Sequence, residues 1–523
     1  MHARLVDALR NPSGFPHPVS RVEAIETHIS SVLLTGEFAY KLKKPIDLGF
    51  LDFTSLGKRR FYCEEEVRLN RRTAPSVYLD VVAVNGTIDH PAIGGEGPPI
   101  EYAVRMRQFP RDCTFDVLLA RGELSAARID DLAASIAAFH AVIAVAGPTS
   151  AYGTPERAWR AALENFLQID PLLEDSALRE ALARLRRWSE AEFAHQRAVL
   201  GERRAGGFVR ECHGDLHLRN VALIEGRPVP FDCIEFSEDL RWIDVASEAA
   251  FTVMDLLEHG ATAHAWRLLN GYLEATGDYA GVRVLRFYLV YRAMVRAKVS
   301  AIRSRQRDAL VGERAQARRE LEQYLALAES MAKQAPPFLI VMTGLSGSGK
   351  TVIAGSLAES LGAVRVRSDV ERKRLYGLDA QARTRAGVGT GLYASEVSAK
   401  TYARLAELAR ALLPAGFPVI VDAAFLRRSD RDTLRSVARQ ASARMVIVAC
   451  EAPLELLRER VAARARAGRD ASEATLAVLE QQRGSREPLT AVELADALAC
   501  DTSDPQAAQS VVRQVAGRLA PGA

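Results

Sequence analysis

The sequence of 523 residues predicts a fold of mixed α/β and α+β class in two domains. A chain of this length exceeds one hydrophobic core, because single cores rarely grow beyond about 250–300 residues. Apolar residues over 22–110 recur mostly with the period of β-strands, whereas those over 125–330 recur with the period of helices. A charged helical stretch then ends at Pro336 and Pro337, which cannot continue a helix, and a new apolar strand follows. We therefore expect a β-rich part, a helical part and a separate domain after the prolines.

The domain bounds follow from these changes of pattern. We expect a first domain over residues 1–334, with a small lobe of about 1–109 and a large lobe of about 110–334, and a second domain over 335–523. Short alternating or β-branched runs predict strands in the small lobe, and one longer run predicts a helix. The predicted strands cover 22–30, 32–35, 78–84 and 101–109, and the predicted helix covers 56–72.

Charge and composition exclude several classes of protein. The formal net charge is +4 with 26% charged residues, so no global field favours a nucleic acid or a membrane. We find no run of about 18 apolar residues and no apolar core of a signal peptide, and we expect a cytoplasmic protein. The six cysteines show no C-x-x-C spacing, so neither a disulfide framework nor a zinc site is predicted.

Residues 213–220 read His-Gly-Asp-Leu-His-Leu-Arg-Asn and are the most informative stretch of the chain. Asp215 lies five positions before Asn220, which is the spacing of the kinase catalytic loop H-R-D-L-x-x-x-N. In phosphoryl transfer such a carboxylate orients the attacking hydroxyl, and such an amide holds Mg²⁺ together with a further acid. A predicted hairpin with a turn at Glu225-Gly226 delivers Asp232 as that acid.

The small lobe of a kinase supplies a lysine for the ATP phosphates and a helix glutamate that holds this lysine. Lys41 and Lys43 alternate along one predicted strand and therefore share a face. We favour Lys41, with Lys43 close behind it, and we assign Glu66 as the glutamate because it precedes an apolar helix face. The alternative is that these residues are ordinary solvated charges.

The order of these features resembles the aminoglycoside phosphotransferase and choline kinase group over about residues 20–330. Within the group, Thr27-His-Ile-Ser-Ser-Val and Tyr40-Lys-Leu-Lys-Lys-Pro resemble a branch that is fused to a second ATP-binding domain. The resemblance implies a bilobal protein-kinase-like domain with Asp215 as the catalytic carboxylate and Asn220 and Asp232 as magnesium ligands. It also implies that Asp244 braces the catalytic loop.

The chain departs from this group in two places. No G-x-G-x-x-G occurs, so hydroxyl and backbone N–H groups over 27–31 would have to contact the phosphates. Residues 240–330 are rich in arginine rather than acidic, which disfavours a polycationic antibiotic and favours an anionic or neutral metabolite. The alternative that these arginines are only solvated helix faces stays open.

A second nucleotide motif follows the predicted strand that begins at Phe338. The stretch 344–351 matches G-x-x-x-x-G-K-[ST] at every fixed position and opens a predicted helix. In this motif backbone N–H groups bind phosphate oxygens, the lysine reaches the β- and γ-phosphates, and the final hydroxyl binds Mg²⁺. The predicted nucleotide-binding residues are Gly344, Ser346, Gly347, Ser348, Gly349, Lys350 and Thr351. They predict a P-loop NTPase domain with a parallel sheet flanked by helices.

Acidic residues lie at the ends of two further predicted strands of this domain. Asp422 is expected to be the acid near magnesium, and Asp369 is expected to deprotonate the acceptor hydroxyl. A helix N-cap is the alternative role for Asp369. Arg464 and Arg469 lie in an arginine-rich helix and the loop after it, and they are predicted to close over the transferring phosphoryl group. An ordinary solvated helix face is the alternative for these arginines.

With these residues, 338–520 resembles the polynucleotide kinase, gluconate kinase and zeta-toxin side of the P-loop kinases. We therefore expect a bifunctional ATP-dependent phosphotransferase that uses ATP and Mg²⁺ and acts on hydroxyl groups of small molecules. One alternative is that one domain binds ATP only to regulate the other. A second alternative is that the P-loop domain phosphorylates nucleic-acid ends, against which the near-neutral charge argues.

Overall fold

The computed structural model describes residues 1–49, 51–306, 310–334, 336–380, 382, 394–467 and 471–519. The chain forms two compact units, Met1–Glu164 with Leu200–Thr252 and Asn165–Val199 with Val253–Ala523. The predicted bound between residues 334 and 335 stays a prediction. No helix among the described residues is long and apolar enough to cross a membrane.

The first unit begins with an antiparallel sheet and two helices. The helices are α1 (His2–Ala8) and α2 (Leu56–Asn70). The strands are β1 (Glu23–Glu26), β2 (Ser30–Leu34), β3 (Phe38–Lys43), β4 (Tyr78–Gly86), β5 (Pro91–Ile93) and β6 (Glu101–Arg107). Their order in the sheet is β1-β2-β3-β6-β4-β5. The predicted first strand is therefore shorter than expected, because a turn at 27–29 separates β1 from β2.

The sheet is covered on both faces, and this arrangement positions the lysines. On one face Leu33, Tyr40 and Leu42 pack into a core that includes residues of α1. On the other face Val67 of α2 packs in a core with residues of β4 and β6. Because side chains alternate along β3, Lys41 and Lys43 lie on the opposite face of the sheet from Tyr40.

The rest of this unit carries the catalytic loop between short strands. The helices are α3 (Phe115–Ala120), α4 (Ala126–Val142), α5 (Pro155–Ile169), α6 (Ser176–Ala205), α7 (Glu238–Arg241) and α8 (Val245–Glu258), of which α5, α6 and α8 each have residues in both units. The strands are β7 (Val209–Glu211), β8 (Val221–Ile224), β9 (Arg227–Pro230) and β10 (Trp242–Asp244). Strands β8 and β9 form the predicted hairpin, with φ of 50° at Glu225 and 76° at Gly226, as a two-residue turn requires.

The second unit contains a helical segment and a parallel sheet. The helical segment comprises α9 (Thr262–Thr276), α10 (Val282–Ser304) and α11 (Val311–Ala332). The sheet strands are β11 (Phe338–Thr343), β12 (Val364–Arg367), β13 (Val419–Asp422), β14 (Arg444–Glu451) and β15 (Ala497–Asp501), in the order β12-β13-β11-β14-β15. The other helices are α12 (Lys350–Leu361), α13 (Ser368–Leu375), α14 (Ser395–Leu412), α15 (Arg428–Gln440), α16 (Leu454–Ala467), α17 (Leu476–Ser485), α18 (Ala491–Asp496) and α19 (Ala507–Leu519).

The central strand of this sheet explains where a ligand can bind. All six residues of β11 are buried, and its two neighbours β13 and β14 run parallel to it. The chain order reverses across β11, and ligands of open parallel sheets bind at the carboxyl ends of strands beside such a switch point. The loop after β11 and the end of β13 are therefore neighbours. The predicted fold class, with a parallel sheet flanked by helices in the second half, is confirmed.

Candidate active sites

The catalytic loop of the first unit is held by a buried carboxylate of α8. Glu248 accepts hydrogen bonds from the N–H groups of His213 at 3.0 Å and Gly214 at 2.6 Å, and His140 Nε2 lies 3.0 Å from the same side chain. Burial alone raises the pKa of Glu248, but His140 and the loop N–H groups outweigh it and lower this pKa to about 2. The loop is thus bound to an ionised carboxylate.

The resemblance implies this bracing role for Asp244, whereas Glu248 accepts the hydrogen bonds of these loop N–H groups. Asp244 forms an ion pair with Arg203 at 2.7 Å and accepts a hydrogen bond from the N–H of Ala246 at 2.9 Å. Glu248 lies four positions further along, in the first turn of α8, and supplies the carboxylate that binds the loop N–H groups. Arg203, which is itself buried, binds the carboxylate of Asp244.

Asp215 and Asn220 lie together at the tip of this loop. Asn220 Nδ2 donates to the carbonyl oxygen of Asp215 at 2.9 Å and to its Oδ2 at 3.0 Å, so the amide oxygen is the atom that could bind a cation. The Asp215 side chain is 35% exposed and can meet an acceptor hydroxyl, whereas the ring of His217 is buried with Nε2 3.3 Å from Asp215 Oδ2. The pair therefore offers a carboxylate that could accept a proton and an amide oxygen that could bind a cation, as phosphoryl transfer requires.

Asp232 follows the hairpin and is tied to the catalytic loop through its preceding residue. Phe231 donates its N–H to the carbonyl of Asn220 at 2.9 Å, and His213 Nε2 donates to the carbonyl of Phe231 at 2.9 Å. Asp232 has φ of 64°, a strained value for a residue with a side chain, and its N–H donates to the Tyr78 hydroxyl at 3.1 Å. The predicted hairpin thus delivers Asp232 beside the loop.

Both candidate lysines contact the predicted glutamate. Lys41 Nζ lies 2.8 Å from Glu66 and 2.6 Å from Asp232. Lys43 Nζ lies 2.7 Å from Glu66 and also pairs with Glu235. The side chain of Lys43 is 0% exposed and that of Lys41 is 10% exposed, so Lys41 is the lysine that joins the helix glutamate to the candidate metal ligand.

The charges of this network are set by burial and by pairing. Burial raises the pKa of Glu66, but Lys41 and Lys43 outweigh burial and lower this pKa to about 2. Burial disfavours charge on Lys41, yet the carboxylates of Asp232 and Glu66 raise its pKa well above the ordinary value. Both side chains are therefore charged at neutral pH. Asp232 and Asn220 offer oxygen ligands, which Mg²⁺ prefers, so the residues present fit a magnesium site.

The segment predicted to replace a glycine-rich phosphate loop is the turn between β1 and β2. The Thr27 hydroxyl donates to the carbonyl of Ser30 at 3.0 Å and accepts from its N–H at 2.9 Å. The hydroxyl of Ser31 donates to Glu26 at 3.0 Å. Its hydroxyl groups thus close the turn itself, and contact with phosphates stays a prediction.

The P-loop of the second unit has the backbone that its glycines predict. Gly344, Gly347 and Gly349 have φ of 144°, 82° and 76°, values that residues with side chains rarely adopt. A Cβ atom on Gly344 would lie 2.3 Å from the carbonyl oxygen of Cys450, and one on Gly347 would lie 2.7 Å from that of Leu457. The close packing beneath the loop thus fixes its backbone conformation, while the N–H group of Ser348 donates to the carbonyl of Leu345 at 3.1 Å.

Side chains around the P-loop hold it in this shape. Lys350 Nζ donates to the carbonyl of Leu345 at 2.7 Å and to the hydroxyl of Ser348 at 3.3 Å. The N–H of Ser346 donates to Gln482 Oε1 of α17 at 2.8 Å. Burial lowers the pKa of Lys350 from its ordinary value. The lysine and the loop N–H groups are thus satisfied by groups that a phosphate could replace.

Asp422 lies at the carboxyl end of β13, as predicted. Burial raises its pKa, against the lowering influence of Arg367, Lys350 and a hydrogen bond with Thr351. The Oδ2 atom of Asp422 is buried and accepts no hydrogen bond among the described residues. A buried acceptor beside the Thr351 hydroxyl provides the oxygen ligands of a magnesium site, so these residues fit Mg²⁺.

Asp369 lies in the first turn of α13, close to cations. The N-cap residue of α13 is Arg367, so the alternative that Asp369 caps this helix is not observed. Arg372 Nη1 lies 2.7 Å from Asp369 Oδ1. Burial raises the pKa of Asp369, but Arg372, Arg367 and a hydrogen bond from Ser472 hold it below its ordinary value. The carboxylate is ionised and can accept a hydrogen bond from an acceptor hydroxyl.

Of the two arginines predicted to close over the transferring phosphoryl group, the structure describes one. Arg464 lies in the last turn of α16, donates to the carbonyl of Ala474 at 3.3 Å, and is one of the cations that lower the pKa of Asp369. Arg469 lies outside the described residues. The closing role of both arginines stays a prediction.

Fold and site together define the class of protein. One unit combines a catalytic loop of kinase type with a lysine, a helix glutamate and a hairpin aspartate, and the other carries a P-loop at the switch point of a parallel sheet. Both are arrangements of ATP-dependent kinases.

Comparison with known proteins finds similarities to parts of this chain and to most of its length. A family profile described as an AAA domain matches residues 339–489, which confirms the predicted P-loop domain. An uncharacterized protein of Mycobacterium tuberculosis strain H37Rv is 29% identical over 473 residues, which are 88% of this chain and 91% of that protein. A gluconokinase from Sinorhizobium meliloti is 23% identical, with a TM-score of 0.26, and the match covers 36% of this chain and 97% of that chain. A choline kinase from Cryptosporidium parvum is 10% identical, with a TM-score of 0.39, and the match covers 63% of this chain and 95% of that chain.

Sequence reasoning missed several residues that contact these sites. Glu248 braces the catalytic loop, Glu235 pairs with Lys43, and Gln482 binds the P-loop N–H of Ser346. None belongs to a motif with fixed spacing. A signal was present in the sequence only for Glu235, which lies three positions after the candidate metal ligand Asp232.

Proposed function

We propose that the protein is an ATP-dependent phosphotransferase with two kinase sites, each of which transfers the γ-phosphate of ATP to a hydroxyl group of a small molecule. One observation carries this proposal: each of two unrelated folds brings together a lysine, oxygen ligands that fit Mg²⁺ and a carboxylate that could accept a proton. A unit that only bound ATP would not need the carboxylates of Asp215 and Asp369 in addition to its phosphate-binding lysine.

In the first site, Lys41 binds the α- and β-phosphates and is held by Glu66. Asp215 accepts the proton of the acceptor hydroxyl, and its partner Asn220 fixes the orientation of the carboxylate. Asn220 and Asp232 would hold Mg²⁺, which neutralises charge on the phosphates when bound. Glu248 supports these steps by keeping the loop backbone in place.

In the second site, the N–H groups of the P-loop and Lys350 bind the β- and γ-phosphates. Thr351 and Asp422 would hold Mg²⁺. Asp369 accepts the proton of the second acceptor, and Arg464, one of the cations that lower the pKa of Asp369, is assigned as the clamp on the transferred group. The two sites share no residue, so one can act without the other.

The acceptors are proposed to be small molecules with a hydroxyl group. The near-balanced charge of the chain and the basic residues over 240–330 favour a neutral or anionic metabolite over a polycation. Nucleic-acid ends are the weaker candidate, and a cytoplasmic location stays a prediction.

The test is transfer of labelled phosphate from ATP into a fractionated extract of small metabolites. We expect the wild type to label at least two products, one lost in Asp215→Asn and another lost in Lys350→Ala. Lys58→Ala is the control, because Lys58 is exposed and pairs with Asp52, which lies outside both proposed sites. It should label every product as the wild type does.

Two other results would decide against this proposal. If no product depends on Asp215 while Asp215→Asn changes the rate of the P-loop site, the first unit regulates the second. If label enters oligonucleotide 5′-hydroxyls and no small molecule, the P-loop domain acts on nucleic-acid ends.

A further inference from the structure

Helix α9 covers the open edge of the parallel sheet. Strand β12 is the edge strand, and an uncovered edge exposes unpaired N–H and carbonyl groups. The buried side chain of Asn270 satisfies two of these groups, because it accepts from the N–H of Arg365 at 2.6 Å and donates to the carbonyl of Ala363 at 2.9 Å. Helix α9 thus acts in place of a further strand.

The packing of α9 against the P-loop domain is close. Gly362, at the end of α12, has φ of 67°, and a Cβ atom there would lie 2.9 Å from the ring of Trp266. That ring also packs edge-on against Phe417, with centroids 5.5 Å apart. The position of α9 on the sheet is therefore fixed by both hydrogen bonds and packing.

One turn beyond Asn270, Glu274 binds two side chains of β12. Glu274 Oε1 accepts from Arg365 at 2.6 and 3.0 Å, and Glu274 Oε2 accepts from Arg367 Nη1 at 3.2 Å. The two arginines share a face of β12 because side chains alternate along a strand. Glu274 is 14% exposed, so this carboxylate is held in a largely dry environment where its charge acts strongly.

Arg367 connects this carboxylate to the P-loop site. Arg367 and Asp422 are register partners on β12 and β13, and Arg367 Nε lies 3.9 Å from Asp422 Oδ2. This distance is an ion pair without a hydrogen bond, and Asp422 Oδ2 accepts none from the described residues. A guanidinium released from Glu274 would be drawn to this acceptor, because charge-assisted hydrogen bonds are strong.

We propose that Glu274 is a positioning residue of the P-loop site, which holds Arg367 back from Asp422 and so keeps that carboxylate available to Mg²⁺. This inference rests on the proposed nucleotide site and adds a requirement to it: the P-loop site depends on a helix that precedes the P-loop domain in the chain. Glu274 acts through Arg367 and is not itself a ligand of the nucleotide or of Mg²⁺ in this proposal.

The test measures Mg²⁺ affinity in the full-length protein. A fluorescent ADP analogue is bound, MgCl₂ is titrated, and the signal that is lost in Lys350→Ala is assigned to the P-loop site. We expect Glu274→Gln to raise the MgCl₂ midpoint by roughly tenfold or more, as for other residues that orient metal ligands. Nucleotide affinity in EDTA should stay within about twofold of wild type, since Glu274 does not contact the phosphate-binding loop.

Two further variants separate positioning from a loss of structure. Glu359→Gln removes the partner of Arg267 at 2.8 Å on the same side of α9, and it should leave the MgCl₂ midpoint as in wild type. Arg367→Ala and the double variant Glu274→Gln/Arg367→Ala should both bind Mg²⁺ at least as tightly as wild type, because the competing cation is gone. The double variant thus rescues the single one.

Three results would overturn the inference. The first is a midpoint for Glu274→Gln equal to that of Glu359→Gln. The second is a weaker midpoint for Arg367→Ala, which would make Arg367 a support of Asp422 rather than a competitor. The third is a wild type with no nucleotide binding that depends on Lys350, and only this result overturns the proposed P-loop site as well.

Discussion

At the scale of residues, the first site depends on a buried network of four charges. Glu66 binds both Lys41 and Lys43, and Lys43 also binds Glu235. Buried charges are tolerated only when they are paired. Removal of one partner leaves an unpaired buried charge, which is strongly destabilising. Lys41 alone contacts the candidate metal ligand Asp232. We therefore expect separate tasks for the two lysines, Lys41 toward ATP and Lys43 toward the stability of the small lobe.

Substitution of Lys43 tests this division. Lys43→Met should lower the free energy of unfolding by about 3–5 kcal/mol, because the carboxylates of Glu66 and Glu235 lose a shared cation. The double variant Lys43→Met/Glu235→Leu should recover part of this loss. Lys58→Met, at an exposed pair, should leave stability nearly unchanged. Urea unfolding measures all three, and a Lys43→Met protein as stable as Lys58→Met would contradict the account.

The pH dependence of stability tests the brace of the catalytic loop. Burial raises the pKa of Glu248, but His140 and the loop N–H groups lower it from 4.5 to about 2 in the folded protein, a difference of about 3 kcal/mol. Because the folded pKa is the lower one, this stability is fully present above pH 4.5 and is lost as the pH falls toward 2. Unfolding free energies of wild type and Glu248→Gln should therefore converge between pH 7 and pH 3.5. A constant difference over this range would show that folding does not lower the pKa of Glu248.

At the scale of elements, each site is built where a strand ends in a glycine turn. The β8–β9 hairpin turns at Glu225 and Gly226 and places Asp232 beside the catalytic loop. The loop after β11 turns at Gly344 and presents its N–H groups at the start of α12. In both cases the backbone conformation, rather than a side chain, sets the direction of the functional group.

A glycine substitution tests the P-loop as an element. Gly344→Ala places a Cβ atom 2.3 Å from the carbonyl of Cys450, at a φ of 144° that alanine rarely adopts. We expect a loss of about 1–3 kcal/mol in the free energy of unfolding and loss of the nucleotide binding that depends on Lys350. Gly517→Ala is the matched control, because nothing lies within 4 Å of a Cβ atom there. This control should be as stable as wild type or more stable by about 0.5–1 kcal/mol. Unchanged nucleotide binding in Gly344→Ala would contradict the assigned loop geometry.

The elements also show what could be predicted from the sequence. Residues within one motif, such as Asp215 with Asn220 or Gly344 with Lys350, are joined by a short loop whose spacing alone implies their geometry. The hairpin was predictable because its turn residues are specific. Glu248 and Glu274 were not, because each reaches its partners through packing of distant elements; Glu274 and Arg365 are 91 positions apart. Such contacts depend on which elements pack together and on how the edge of the sheet is covered, and the local spacing of residues does not predict either.

At the scale of the whole molecule, two proposed nucleotide sites of unrelated design lie in one chain. The lysine, glutamate and aspartate of the first site belong to one compact unit, and the P-loop with Asp422 belongs to the other. The second unit also includes α9, whose Asn270 and Glu274 complete the edge of the parallel sheet. The P-loop site therefore requires more of the chain than its own motif and sheet.

The binding stoichiometry of a non-hydrolysable ATP analogue tests the central claim most directly. With MgCl₂ present, equilibrium dialysis should give two analogue molecules bound per wild-type chain. Asp232→Asn and Lys350→Ala should each retain one, and the double variant should retain none, because each substitution removes a different site. One bound molecule per wild-type chain, or two that both survive either substitution, would contradict the account.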